Sequence, residues 1–287
     1  MERRDFLGSL VAATVLPRFT TGCLGAVTRA RIAKVGVQLY TVRDLMKADF
    51  EGTLAKVAQI GYREVEFAGY FDHTAEQVRA VLDKNGLASP SCHVGYGDAT
   101  GPGWSATLEK AKAVGHQYVV CAWIDEQARK SADDWKRICD QFNAAGTAAQ
   151  AAGLRFAYHN HSFEFVPLAD GRKPYDVLLA NTDPKLVQLE VDLFWITFGG
   201  ADPLAYFTKY PGRFPLVHVK DMMPKTTPDV APDKVMADVG KGSIDWKGIF
   251  AHSSQGGIEH YFVEHDQPAD PLASIRTSYQ YLRDLEF

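Results

Sequence analysis

Five short segments of this chain carry carboxylates or histidines in or at the end of a run of β-forming residues. They are Glu64-Val65-Glu66-Phe67, Tyr158-His159-Asn160-His161, Leu189-Glu190-Val191-Asp192, Val217-His218-Val219-Lys220-Asp221 and Phe262-Val263-Glu264-His265-Asp266. Helix-like sequence follows most of them. Charged side chains at the ends of apolar strands are costly unless they meet partners. The common fold that gathers the C-terminal ends of such distant strands at one point is the eight-fold strand–helix barrel. A shared divalent-metal site is therefore the leading expectation.

The rest of the chain supports that architecture. Alternation of Val35, Val37 and Leu39 predicts a first strand over 33–40. Further strands are predicted over 64–67, 88–94, 118–123, 154–160, 186–192, 214–219 and 261–264. Helices are predicted over 49–60, 74–85, 104–114, 131–152, 175–180, 203–209, from 245, and over 271–285. Asp49 is a plausible N-cap, Thr74 and Gln77 have the spacing of a capping box, and Gly61, Gly86, Gly115 and Gly153 are stop signals. Eight strand–helix units in strict alternation predict an α/β fold, a (β/α)8 TIM barrel, as a single domain over 31–287. A doubly wound open sheet is the rival, and the missing glycine-rich dinucleotide fingerprint counts against it. The polar stretch 221–243 exceeds the usual strand-to-helix connection and is expected to act as a lid or binding loop.

Residues 1–30 read as an export leader. Arg3-Arg4-Asp5-Phe6-Leu7 precedes an apolar stretch from Leu10 to Leu16 and then small residues up to Cys23. The paired arginines resemble the twin-arginine type of signal, which predicts an exported protein, periplasmic or anchored on the periplasmic side of a membrane. Thr20-Thr21-Gly22-Cys23 resembles a lipoprotein cleavage box without its usual leucine, which makes Cys23 a candidate lipid anchor. Cys92, Cys121 and Cys139 fit no zinc spacing and are expected as buried, inert thiols. The net charge of −4 argues against a nucleic-acid partner, which would want a basic face.

Side chains alternate along a barrel strand, so spacing by two marks residues that face the same mouth. Glu190 and Asp192 share a face, as do His218 and Lys220, and Glu264 and Asp266. Asp192, His218 and Glu264 together would make an oxygen-rich site with one imidazole, suited to Mn, Co, Zn or Mg. The plainer alternative is a salt-bridged mouth without metal. His159 and His161 are candidates for ligands or substrate contacts. Glu66 and His93 end the second and third strands and are candidate substrate contacts, as is Tyr40. Lys220 could neutralise a developing oxyanion, or simply pair with Asp221 or Glu190. Trp123 and Trp195 are candidates for an apolar wall against a sugar face, and Arg43 for an anion contact.

At these residues the chain resembles the sugar isomerase/epimerase family with the xylose-isomerase-like barrel. The resemblance runs from about residue 32 to the C-terminus and rests on Gln38-Leu39-Tyr40, Glu64-Val65-Glu66-Phe67, the stretch from Tyr158 to Phe165, Glu190-Val191-Asp192, His218-Val219-Lys220-Asp221 and Val263-Glu264. It implies one divalent metal held by residues of strands five to eight. Asp192, His218 and Glu264 match three of the four ligands. The fourth is usually a glutamate ending strand five, and here His159-Asn160-His161 stands there. His159 is the expected replacement, with His161 and Glu164 as alternatives.

In the family's epimerases the glutamates of strands five and eight act as paired acid/base groups. Loss of one leaves a metal that polarises a carbonyl or hydroxyl and one base that takes the neighbouring proton. Glu264 or Glu190 is the candidate base, and His159 an acid/base candidate. The expectation is an isomerase/epimerase-like enzyme making an enediolate from a small-molecule sugar or keto sugar, with a 3-keto-glycoside lyase or hydratase as the alternative. A non-catalytic carbohydrate-binding barrel is the reading from another class, and a metal-dependent endonuclease is disfavoured by charge.

Overall fold

The computed structural model describes residues 30–287. The expected leader and its Cys23 lie outside the described residues. The barrel strands in chain order are β1 (Val35–Gln38), β2 (Glu64–Ala68), β3 (Ala88–Gly95), β4 (Tyr118–Trp123), β5 (Arg155–His159), β6 (Val187–Asp192) and β7 (Leu216–Val219). A two-stranded ribbon of β8 (Asp221–Met222) and β9 (Met236–Ala237) follows, and β10 (His260–Val263) completes the barrel. All barrel pairs are parallel, and β10 closes the ring between β7 and β1. The chain is therefore a closed eight-stranded TIM barrel in one domain.

Alternation along the strands sorts residues into two cores. Val35, Val37, Val65, Phe67, Cys121, Phe156, Tyr158, Val191 and Val217 belong to the large cluster that packs against the helices. Tyr118, Val120, Ala157, Leu216 and Phe262 form a separate cluster inside the barrel. Gly36 is part of that interior: a Cβ there would sit 2.6 Å from the Phe262 ring, so only glycine leaves room for the phenyl. The next inward residues along the same strands are the polar ones. Gln38, Glu66, His93, His159, Glu190 and His218 form a layer above the apolar plug.

Several local signals act as the sequence implies. Thr74 and Gln77 make both bonds of a capping box, Asp49 Oδ1 accepts from Gly52 N at 2.9 Å, and Gly61, Gly86 and Gly115 end their helices with positive φ. Cys92, Cys121 and Cys139 are buried and free. Among the described residues no helix is long and apolar enough to cross a membrane.

Several connections differ from the sequence expectation: Arg43–Ala48 and Tyr96–Thr100 are short helices, and the first strand ends at Gln38. The segment 221–243 is not wholly irregular, since β8 and β9 pair antiparallel within it. Leu193–Phe198 is a helix that starts directly at the end of β6. Its sequence, Leu-Phe-Trp-Ile-Thr-Phe, lacks a polar face and so carries no helical periodicity. Asp192 makes the helix begin there, because its Oδ1 accepts from Trp195 N at 2.8 Å.

Candidate metal centre and active-site cavity

The C-terminal ends of the strands place eight ionisable side chains in one cluster, all but His93 fully or almost fully buried. Register explains the meeting: Glu190 stands beside His159 on β5, and Asp192 beside His218 on β7. Glu66 arrives from across the barrel on β2.

His218 lies at the centre. Its Nδ1 is 2.7 Å from Glu264 Oε2 and 3.9 Å from Asp192 Oδ2, while its Nε2 is 2.6 Å from Glu66 Oε2 and 3.2 Å from Glu190 Oε2. With an acceptor at each nitrogen the ring donates twice. Burial opposes the charged ring, but Glu190 and Glu264 outweigh it and hold His218 well above the usual imidazole range. Glu190 Oε2 is approached by three imidazoles: His93 Nε2 at 2.7 Å, His159 Nδ1 at 3.0 Å and His218. Lys220 Nζ lies 2.8 Å from Glu264 Oε2, 2.8 Å from Asp266 Oδ1 and 3.0 Å from Asp192 Oδ2. These three are its partners, and neither Asp221 nor Glu190 is.

The carboxyls divide into two kinds. Burial pushes Glu190 up to about 7, with Glu66 adding to the push, and raises Asp192 to about 6. Burial also opposes charge on Glu66 and Glu264. There His93 and His218 hold Glu66, and Lys220 and His218 hold Glu264, below the usual carboxylate range. Among the imidazoles, burial takes His159 far below its ordinary value and His161 to about 3. His93, between Glu66 and Glu190, overcomes burial and rises to about 9.

The donor set fits a divalent cation. Ligand atoms of Asp192, His218 and Glu264 lie within 4.8 Å of one another, as do those of His93, His159, Glu190 and His218. Glu66 Oε1, Glu190 Oε1 and Asp192 Oδ2 are buried without a hydrogen bond, although Asp192 Oδ2 is within ion-pair range of Lys220. Such oxygens cost several kcal/mol each, on the order of 2–7, unless a cation or donor meets them. In the absence of a metal Lys220, His218 and His93 carry the positive charge against these carboxyls, and a bound cation would take over the place of the imidazole protons. The expected ligand His159 falls mainly in the second group, with its Nε2 still 3.9 Å from Asp192 Oδ2.

The other expected residues take different places. Tyr40, His93, Trp123 and His161 line a cavity of about 710 Å³ above the cluster, with Lys220 and Glu264 at its floor. Glu66 has no exposed surface and does not line the cavity. Its Oε2 is held instead by His218 Nε2 at 2.6 Å and His93 Nε2 at 3.1 Å. Glu164 is not a ligand either, because its oxygens accept from Tyr158 Oη at 2.5 Å and from His161 N at 3.0 and 3.1 Å, which fixes the turn after β5. Arg43 donates to the carbonyls of Tyr40 and Asp266, both at 2.7 Å, and so is engaged by backbone rather than by an anion.

Three supporting residues had weaker sequence signals. Gln38 Nε2 donates to Glu66 Oε2 at 2.8 Å while its Oε1 accepts from Tyr40 N at 3.0 Å. Asn160 Oδ1 accepts from Asp192 N at 3.1 Å and ties the ends of β5 and β6. Asp221 points away from the mouth and accepts from the backbone nitrogens of Met222, Gly240, Gly242 and Ile244 and from Trp246 Nε1, at 2.8 to 3.2 Å. Inward-facing position marked Gln38, but nothing local marked its partner.

Residues 54–285 match the xylose isomerase-like TIM barrel family, and the chain belongs to that family. An inosose dehydratase of Geobacillus thermodenitrificans is 29% identical over 175 residues, covering 56% of this chain and 58% of that protein. An inosose dehydratase of Clostridium perfringens is 28% identical over 166 residues, covering 53% and 55%. The chain thus spans about half the length of the curated relatives it matches. A crystal structure of a sugar phosphate isomerase/epimerase from Parabacteroides distasonis is 27% identical, with a TM-score of 0.75, and covers 88% of this chain and 98% of that one.

Proposed function

We propose that this protein is a divalent-metal-dependent enzyme that removes a proton next to the carbonyl of a sugar or keto sugar. The observation that carries the reading is the buried cluster at the barrel mouth, where carboxylate oxygens without donors lie around His218, beneath a cavity that Lys220 and Glu264 line. Asp192, His218 and Glu264 would hold the metal, with His159 as the fourth ligand. When bound, the metal supplies Lewis-acid polarisation of a substrate carbonyl or hydroxyl.

The chain's own groups do the proton work. Glu190 or Glu264 accepts the proton from the carbon beside the carbonyl, and the C–H electron pair passes into an enediolate. Lys220, held among three carboxylates, faces the negative charge that develops on oxygen. His159 or the protonated carboxyl then returns the proton. Return to the neighbouring carbon isomerises, and return to the opposite face epimerises. Departure of a group β to the carbonyl makes the enzyme a lyase or dehydratase. The matches to inosose dehydratases favour keeping elimination as the second reading. Tyr40, His93, His161 and Trp123 are the proposed substrate contacts. The twin-arginine-like start supports an exported protein, and Cys23 a lipid anchor.

The test is metal content by elemental mass spectrometry on wild type and His218→Ala, followed by deuterium exchange from D2O into a panel of keto sugars. One Mn, Co, Zn or Mg per chain, lost in the variant, together with exchange, is expected. No metal after reloading and no exchange would turn the reading to a carbohydrate-binding barrel.

A further inference from the structure

Lys220 is tied to its surroundings in a closed circuit. Its own backbone runs into β8, which pairs with β9 so that Met222 stands opposite Met236. Met236 Sδ accepts from Asp266 N at 3.2 Å, and Asp266 Oδ1 accepts from Lys220 Nζ at 2.8 Å. Strand, ribbon, sulfur and carboxylate thus lead from Lys220 back to Lys220. Among the described residues the sulfur is the one acceptor that meets this amide, while Arg43 holds the Asp266 carbonyl at 2.7 Å.

The sulfur is the weak link of the circuit. A thioether is a weak acceptor, and a leucine in its place would accept nothing. Of the three carboxylates on Lys220, Asp266 is also the open one. Its side chain is 27% exposed, against 0% for Asp192 and 6% for Glu264. The position of Asp266 therefore decides how much of the Lys220 charge falls on Asp192 and Glu264. Those two carboxylates are the ones proposed above for the metal.

The same sulfur is open to small oxidants. Met236 is partly exposed and lines a second cavity, of about 360 Å³, with Trp195, Asp266 and Gln267. Met46 and Met222 are buried by comparison. With hydrogen peroxide as the oxidant, the sulfur lone pair attacks one peroxide oxygen, an S–O bond forms, the O–O bond breaks and water leaves. The thioether is oxidised by two electrons and the peroxide is reduced. The sulfoxide is polar, pyramidal and bulkier, and its acceptor is the oxygen rather than the sulfur. The bond from the Asp266 amide cannot persist in its present geometry.

We propose that Met236 is a positioning residue and an oxidation site: its thioether holds Asp266, and through it Lys220, and conversion to the sulfoxide releases both. On release Lys220 leans on Asp192 and Glu264 and competes with the metal for them. Reduction of the sulfoxide restores the bond, so the change is reversible. The competition rests on the functional reading above. The release of Asp266 rests on the hydrogen bonds and the cavity alone.

The test uses the full chain carrying Met223→Leu, because Met223 is 45% exposed and would compete for oxidant. After hydrogen peroxide, peptide mapping locates the sulfoxide and hydrogen exchange follows the Asp266 amide. Competition against a fluorescent chelator gives the affinity for Mn²⁺. Sulfoxide at Met236, with Met46 and Met222 still reduced, is expected. Exchange at Asp266 should quicken and Mn²⁺ affinity should fall about tenfold, as when a partner behind metal ligands is lost. The two methionine sulfoxide reductases, one for each epimer, should reverse both changes, which general oxidative damage would not allow. Met236→Leu should exchange like the oxidised protein and be indifferent to peroxide, with circular dichroism confirming the fold. Met236 staying reduced, or exchange at Asp266 unaltered by the sulfoxide or by Met236→Leu, would overturn the proposal. Quicker exchange at unaltered Mn²⁺ affinity would overturn the link to Lys220. Failure of the metal reading shows differently, as no Mn²⁺ binding to either form, while mapping and exchange still decide the release of Asp266.

Discussion

Glu66 Oε2 lies 2.6 Å from Nε2 of His218, and Gln38 holds the same oxygen from the other side at 2.8 Å. The pair fixes the orientation of the imidazole ring. Nε2 is taken by Glu66, so Nδ1 is the nitrogen presented toward Asp192 and Glu264. A carboxylate behind a ligating histidine orients the ring and raises its basicity, and loss of such a partner typically weakens metal affinity about 10–100-fold. Glu66→Gln is therefore expected to lower metal affinity by that factor while the barrel stays folded. Competition against a fluorescent chelator measures it. An unchanged metal affinity with a raised KM would return Glu66 to the role of substrate contact.

Chelation should destabilise the protein. Without a cation the buried Oε1 atoms of Glu66 and Glu190 keep no hydrogen-bond donor, and Asp192 Oδ2 keeps only its ion-pair partners. Saturating metal at about one hundred times its Kd should add about 2.7 kcal/mol relative to the chelated form. Differential scanning calorimetry with EDTA and with metal restored gives the comparison, and His218→Ala should abolish the response. Identical melting with and without metal in wild type would contradict the site.

The barrel and the layer of polar residues above its plug were legible, because both follow from a period of two along short apolar strands. The identity of each pair was not. Glu66 and His218 sit on strands that are not neighbours, so only closure of the ring brings them together. Lys220 shows the same limit. Its sequence neighbour Asp221 is one residue on and faces the loop, whereas its real partners Asp192, Glu264 and Asp266 come from β6 and from beyond β10. The helix Leu193–Phe198 escaped because its residues are apolar all round and its start depends on a cap from a strand residue.

Asp221 is a second such case, with a testable consequence for the loop. One buried carboxylate satisfies four backbone nitrogens and an indole, and so ties 222–246 into a closed turn over the mouth. Asp221→Ala leaves those donors unmet, at a cost of about 1–3 kcal/mol or more. The loop between β8 and β9 should become the first site of cleavage in limited proteolysis under native conditions. Cleavage elsewhere first, at unchanged stability, would show that the loop is held by other contacts.

Glu164 predicts a pH dependence of stability that is separate from the metal. Burial pushes its carboxyl from 4.5 up to about 7, although Tyr158 and the His161 amide pull the other way. A folded pKa above the unfolded one means the folded state holds the proton more tightly. Its stabilising contribution is complete below about pH 4.5 and is lost as pH rises through about 7. The full swing is at most about 3.5 kcal/mol, at roughly 1.4 kcal/mol per unit. Glu190 and Asp192 titrate in the same window, so the wild-type curve alone does not isolate the effect. Glu164→Gln does, since it removes one titration and keeps an oxygen for Tyr158. Urea unfolding at several pH values from about 4.5 to 8 should show wild type losing stability relative to the variant as pH rises. Parallel curves would mean that Glu164 is ionised throughout and that its three hydrogen bonds outweigh its burial.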